Sequence, residues 1–208
     1  SLTSGDAHIA MDFPKILKNG LKGYLEEIEH YHKQVKRSEQ QGIRKDHFYN
    51  ALSISVKAFN TFIKRYSKHA ASLAEKEHNF ERKAELQVIK ENCRIISEQP
   101  PQNFYQALQL TWFVQLVLQI ESNCHSVSLG RLDQYLFPFY QKDKISGNIS
   151  DEFASELLEN TWIKLLSVNK IRPWSHTRFS AGGPLYQNVR IGGQTIEGED
   201  AGNELSFL

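Results

Sequence analysis

The sequence predicts a mainly α-helical chain with a β-hairpin near residues 185–196. Two observations carry that reading. Apolar residues recur at three- and four-residue steps through residues 14–170, as they do on the buried stripe of a helix. Gly, Pro and Ser then concentrate at Ser180 to Pro184, and the pattern that follows suits strand and turn rather than helix.

Pro14 fits the first turn of a helix, where its missing N–H is not needed. Ile16, Leu17, Leu21, Tyr24, Leu25, Ile28, Tyr31 and Val35 continue that helix on one stripe, and Gly42 is expected to end it. A second run starts near Asp46 and carries Phe48 to Leu73. A third carries Leu86 to Ile96 and is stopped by Pro100 and Pro101. Asn103 is a cap for the next helix, Phe104 to Ile120, which is apolar on most faces and so belongs in the centre of the core. A short helical turn, Leu132 to Tyr140, contains Pro138. Ser150 caps a further helix with Asp151 and Glu152 in its first turn, and Phe153, Leu157, Leu158, Trp162, Leu165 and Leu166 are expected to face inward. Leu185 to Ile191 reads as a strand, Gly192-Gly193 as a hairpin turn and Gln194 to Ile196 as its return. Asp200 then reads as the cap of one more helix. The expected organisation is one partial domain over 1–208: a helical layer, 14–170, followed by the hairpin and the start of a helix, 171–208.

Composition excludes several functions. Lys plus Arg is 25 against 24 for Asp plus Glu, a formal charge of +1, which leaves no electrostatic footprint for nucleic acid. A 40% hydrophobic chain can bury a core, and two cysteines are too few for a disulfide scaffold or a zinc module. Ser1 to Ala10 has neither a basic nor an apolar leader region. The most apolar stretch, Tyr105 to Ile120, is interrupted by Gln106, Gln109, Gln115 and Gln119, too polar and too short to span a bilayer. The expectation is a cytoplasmic protein with no membrane and no nucleic-acid partner.

No Walker loop, GxGxxG, GxSxG or HExxH motif is present. His30 and His32 stand two apart on a helix, a spacing that sends them to different faces and not to one metal. Glu121 to Asp133 is denser in chemistry. It places a carboxylate, an amide, a thiol, an imidazole and three hydroxyls directly after the most apolar helix. Polar groups held against a core need hydrogen-bond partners, so this cluster is either a structural network or a polar binding site. Gly5-Asp6-Ala7-His8 is a second polar turn before a helix. Arg131 and Asp133 read as a structural pair holding the loop, and Cys93 as a small core residue.

These segments carry a resemblance. Gly5 to Phe13 (GDAHIAMDF), Gln119 to Arg131 (QIESNCHSVSLGR) and Asp133 to Tyr140 (DQYLFPFY) resemble glycyl radical enzymes. The branch they are most similar to is that of the pyruvate formate-lyase-like proteins that include glycerol and diol dehydratases. Pro100 to Gln109 and Ser180 to Val189 extend the likeness over essentially the whole chain. The resemblance implies a parent fold of a ten-stranded α/β barrel and a dehydratase-type lyase that eliminates water from a small diol such as glycerol or propane-1,2-diol. The alternatives are a pyruvate formate-lyase-type acyl transferase (formate C-acetyltransferase) and a non-catalytic remnant. It further implies His8 as the catalytic group facing the departing hydroxyl, with His125 and Ser126 binding substrate oxygens. No bound cofactor or metal is expected. The parent would use a protein glycyl radical installed by an S-adenosylmethionine iron–sulfur activating enzyme, which is then its partner beside the small-molecule substrate; a segment of an opened barrel, with strand edges unpaired and apolar faces uncovered, is expected to self-associate. The family's Gly-Cys-hydrophobic-Glu and Arg-Val-Ala/Ser-Gly-Tyr-like motifs do not occur in these 208 residues, so an internal segment of such an enzyme is expected. Cys124 stands where the family usually has Gly.

Overall fold

A computed structural model of the chain describes residues 9–122, 126–168, 173–180 and 187–208. In chain order their elements are β1 (Ile9–Ala10), α1 (Phe13–His32), α2 (Gly42–Lys76), α3 (Phe80–Ile96), α4 (Phe104–Ser122), β2 (Val127–Ser128), β3 (Gly130–Arg131), α5 (Leu132–Ile145), α6 (Asp151–Leu166), α7 (Trp174–Ser180), β4 (Val189–Arg190) and a 3-10 helix, Glu204–Phe207. The chain is mainly helical, as its periodicity predicts. It divides into two compact units: Lys15–Pro101 forms one, and the residues up to Pro14 together with those from Gln102 onward form the other.

The first unit consists of helices. Asn60 Nδ2 donates to the Ser97 carbonyl at 2.5 Å, and Ser67 Oγ donates to the Lys90 carbonyl at 2.8 Å. The rising number on α2 paired with the falling number on α3 makes the two antiparallel. Ile63, Cys93 and Ile96 are fully buried in this unit. α1 joins them where the Lys22 N–H donates to the Glu98 carbonyl at 3.0 Å. Gly20 makes that approach feasible: its φ of 64° kinks α1, and a Cβ there would lie 2.5 Å from Pro100 N. Gly42 opens α2 rather than closing α1, which already stops at His32. A Cβ on Gly42 would lie 2.1 Å from the Lys36 carbonyl, so the glycine serves the loop between the helices. Asp46 holds the same corner. It accepts from Arg37 at 2.6 Å and pairs with His32 at 2.8 Å, and those two bonds hold its carboxyl below the usual aspartate range.

The second unit is built around α4. Phe104, Ala107, Leu108, Leu110, Phe113 and Val114 are buried on several sides of the helix, which explains why it lacks a clean polar face. Its first turn is satisfied twice. Asn103 Oδ1 accepts from the Gln106 N–H at 2.9 Å, and Asp143 of α5 accepts from the Phe104 N–H at 2.7 Å. Ser150 caps α6 as expected, accepting from the Phe153 N–H. On α6, Ala154, Leu157, Leu158 and Leu165 face the core, but Phe153, Trp162 and Leu166 are 42%, 37% and 85% exposed, against expectation. The buried stripe is narrower than the apolar composition of the helix.

The predicted hairpin is the main correction. β4 pairs parallel with β3, in the register Gly130↔Val189 and Arg131↔Arg190, and Gln194 makes an isolated antiparallel bridge with Asp200 instead of returning onto β4. Strand material also begins earlier than expected, because β1 pairs parallel with β2, Ile9↔Val127 and Ala10↔Ser128. The expected strand residues Leu185 and Tyr186 lie outside the described residues. The helix expected after Asp200 is a single 3-10 turn capped by Asn203 and Ser206.

Gly20→Ala should lower the melting temperature more than Gly147→Ala. Both glycines have positive φ, for which a side chain costs about 1–2 kcal/mol. Gly147 has open space around a new Cβ, whereas Gly20 meets Gln99 and Pro100 backbone. Equal losses in thermal melts of the two variants would show that the close approach at Gly20 contributes nothing.

Candidate functional site

Residues 126–131 form a central strand segment used on both edges. On one edge the Ile9 N–H donates to the Ser126 carbonyl at 3.0 Å and begins the β1–β2 pairing. On the other the Leu129 N–H donates to the Asn188 carbonyl at 3.0 Å and begins the β3–β4 pairing. Side chains alternate along such a segment. Val127 and Leu129 are buried in the core, while Ser126, Ser128 and Gly130 line a cleft of about 380 Å³ together with Ile9, Arg131 and Arg190. Ser126 is only 2% exposed.

The polar cluster of the sequence therefore divides by position. Its last part is structural. Asp133, 1% exposed, accepts through one oxygen from the Gly192 N–H at 2.7 Å, Ser206 Oγ at 2.5 Å and Gln134 Nε2 at 3.0 Å. Arg131 donates to the Gly192 carbonyl at 2.7 Å and the Gln194 carbonyl at 3.1 Å. The two residues do not pair with each other; each instead fastens the 192–206 segment. Gly192 and Gly193, at φ 63° and 90°, supply the turn that lets one residue offer its N–H to Asp133 and its carbonyl to Arg131. Tyr135 donates to the Leu129 carbonyl at 3.0 Å, and burial, reinforced by Asp133, pushes its phenol pKa up, so it remains a donor. Its ring stacks on Phe13 at 5.2 Å, which anchors the chain just after β1.

Of the three expected site residues, the structure describes Ser126; His8 and His125 lie outside the described residues. The described neighbours of those histidines are nevertheless adjacent, since Ile9 and Ser126 share the hydrogen bond that starts the parallel pair. Cys93 is buried in the other compact unit, and burial pushes its thiol up to about 12, which leaves no thiolate for chemistry. Cys124 lies outside the described residues. His30 bonds Gln34 and His32 bonds Asp46, so the two share no ligand, and no cluster of three metal-ligating side chains occurs among the described residues. No helix among them is long and apolar enough to cross a membrane.

Sequence reasoning missed the glutamines of α4. Gln115 is fully buried, and its Nε2 donates to the Val127 carbonyl at 2.8 Å and to Gln187 Oε1 at 3.0 Å. Gln119, one turn on and 6% exposed, keeps both amide atoms buried without a protein partner. The available signal was their i, i+4 spacing inside an otherwise apolar helix, which places two amides on one face.

Residues 1–208 match the family described as pyruvate formate lyase-like. The chain is 46% identical to the probable dehydratase YbiW of Escherichia coli, over 100% of this chain and 26% of that protein. It is 39% identical to the glycerol-bound B12-independent glycerol dehydratase of Clostridium butyricum, with a TM-score of 0.93 over 98% of this chain and 26% of that one. A Roseburia inulinivorans structure concerned with 1,2-propanediol dehydration is also 39% identical, with a TM-score of 0.95 over the same shares. The chain thus spans about a quarter of the length of the relatives it matches.

Asp133→Ala should loosen the 192–206 segment, because it leaves the Gly192 N–H and the Ser206 hydroxyl without their acceptor. The expected loss is about 1–3 kcal/mol in denaturant unfolding, with faster proteolytic cleavage between Arg190 and Leu208. Unchanged cleavage would show that this carboxylate does not hold the segment.

Proposed function

The chain belongs to the pyruvate formate lyase-like family, in the dehydratase branch of the glycyl radical enzymes, and from that premise we propose that the protein carrying it eliminates water from a small diol such as glycerol or propane-1,2-diol. One observation carries the assignment to particular residues. The parallel pairing of β1 with β2 runs from Ile9 and Ser126, so the chain immediately after His8 is hydrogen-bonded beside the chain immediately after His125. Two motifs separated by more than a hundred residues are thereby held to one cleft edge. The three parallel strand segments also suit the ten-stranded α/β barrel implied for the parent. Acyl transfer is not favoured, because the relatives reported above are dehydratases.

Hydroxide is a poor leaving group, so the reaction needs an acid at the departing oxygen and donors that fix both hydroxyls. His8 protonates the departing hydroxyl, a task suited to imidazole because its charge changes near neutral pH. His125 and Ser126 bind the substrate oxygens. Ser126 does so from a backbone fixed by β1, which limits the positions a bound hydroxyl can take. A glycyl radical, installed by an S-adenosylmethionine iron–sulfur activating enzyme, would supply hydrogen-atom abstraction through a cysteine thiyl. The motifs that would carry it are absent from these 208 residues, and the described Cys93, buried and protonated, does not fit that role. What this segment contributes is binding, orientation and one proton. A cytoplasmic location and association between copies belong to the same reading.

In the full-length protein, activated anaerobically, His8→Ala and His125→Ala should leave radical yield intact and lower aldehyde production by about 10²–10⁴. Ser126→Ala removes one neutral hydrogen bond, about 0.5–1.5 kcal/mol, and should lower the rate about twofold to twelvefold. Radical quantitation by electron paramagnetic resonance beside aldehyde assay reads both quantities. Full turnover in His8→Ala would remove its role as the acid. Absence of turnover of either diol by the unsubstituted protein would end the diol assignment.

A further inference from the structure

We propose that Gln115 is a positioning residue of this cleft: its buried carboxamide sets the height of the Ser126–Val127 backbone over α4 and, through Gln187, locks that backbone to the chain entering β4. The inference rests on the reading that Ser126 and its neighbours bind substrate oxygens.

Successive carbonyls along a strand point to opposite edges. The Ser126 carbonyl points toward β1 and takes the Ile9 N–H. The Val127 carbonyl therefore points to the other edge, where, among the described residues, the bonds to the chain of β4 begin at Leu129, with the Asn188 carbonyl. A side chain supplies what a strand neighbour would. Gln115 Nε2 has two hydrogens, and both are used, one on the Val127 carbonyl at 2.8 Å and one on Gln187 Oε1 at 3.0 Å. Gln187 Nε2 in turn donates to the Leu165 carbonyl at 3.2 Å, near the end of α6. Two side-chain amides thus join α4, α6 and the central strand just ahead of the described β3–β4 ladder. Gln187 directly precedes Asn188, whose carbonyl opens the β4 pairing, so the clamp ties the central segment to the approach of β4. An apolar residue in place of Gln115 would take away the donor that the carbonyl of buried Val127 and the half-buried Gln187 Oε1 share.

The test uses the full-length protein with Gln115→Met, which keeps volume and removes both donors, and Gln187→Ala. For Gln115→Met, radical yield should stay within about twofold of the unsubstituted protein while kcat/KM for the diol falls about tenfold or more, the change lying mainly in KM. Amide hydrogen exchange should rise selectively at 127–131 and 188–190. The double variant should be no worse than Gln115→Met alone, because one clamp is lost only once. An unchanged KM with a lower melting temperature, additive effects, or exchange rising throughout the protein would overturn the proposal. If the unsubstituted protein turns over no diol, the functional reading fails, and the exchange measurement still decides the clamp. If Gln115→Met does not fold, Gln187→Ala gives the same decision with a smaller KM rise.

Discussion

The constraint on which the site depends is that the segment carrying the buried Ser126, Val127 and Leu129 has to be hydrogen-bonded on both edges. Strands of two residues cannot do this by pairing alone. β1 covers one edge at Ser126, β4 covers the other from Leu129, and the carbonyl between them falls to Gln115. Tyr135 takes the Leu129 carbonyl. Each of these partners comes from a different stretch of chain, so satisfying one short segment draws together β1, α4, α5 and the approach to β4. The cleft is the polar side of that construction, and the core contact of Val127 and Leu129 is its apolar side.

The surroundings follow the same logic with charge. Asp143 spends its carboxylate on the N-terminus of α4, where the unpaired N–H groups and the helix dipole favour an anion. Lys144, the next residue, bridges Asp151 at the start of α6 and Glu204 in the 3-10 helix, and those two carboxylates, with the Tyr140 hydroxyl, raise its pKa. Tyr140, fully buried, donates to Asp151 at 2.6 Å. Neighbouring residues at the end of α5 thus anchor three helix ends, and the C-terminal segment is held at Lys144, Asp133 and Gln134 in turn. The exposed members of this set contribute little each, since surface pairs are screened by solvent. The buried Asp133 and Asp143 carry the arrangement.

Much of this was legible in the sequence, for physical reasons that also explain the failures. Helices announce themselves through a period that repeats over many residues, and Asn103 and Ser150 cap because a short polar side chain can reach a free N–H one turn away. A parallel strand of two residues has no period to read, and its partner lies more than fifty residues off. Gly192-Gly193 looked like a hairpin turn because positive φ is what both a hairpin and this fastening loop require. The polar cluster at 121–133 was visible as a cluster. Its division into cleft residues and fasteners depends on alternation of single residues, which only the pairing reveals. Any link between His8 and His125 rests on family resemblance, since nothing local in the sequence connects them.

A site of this kind separates what must be exact from what must be reactive. Orienting a small ligand requires donors fixed to a fraction of an ångström, and strands as short as these hold them when side chains from helices complete their ladders. Gln115 sits in the middle of the most apolar helix of the chain, where a glutamine with unused hydrogens would be a loss of stability. Both of its hydrogens are used on the cleft floor. One of the polar interruptions that keep α4 from reading as a membrane span is thus also the feature that ties the core to the site.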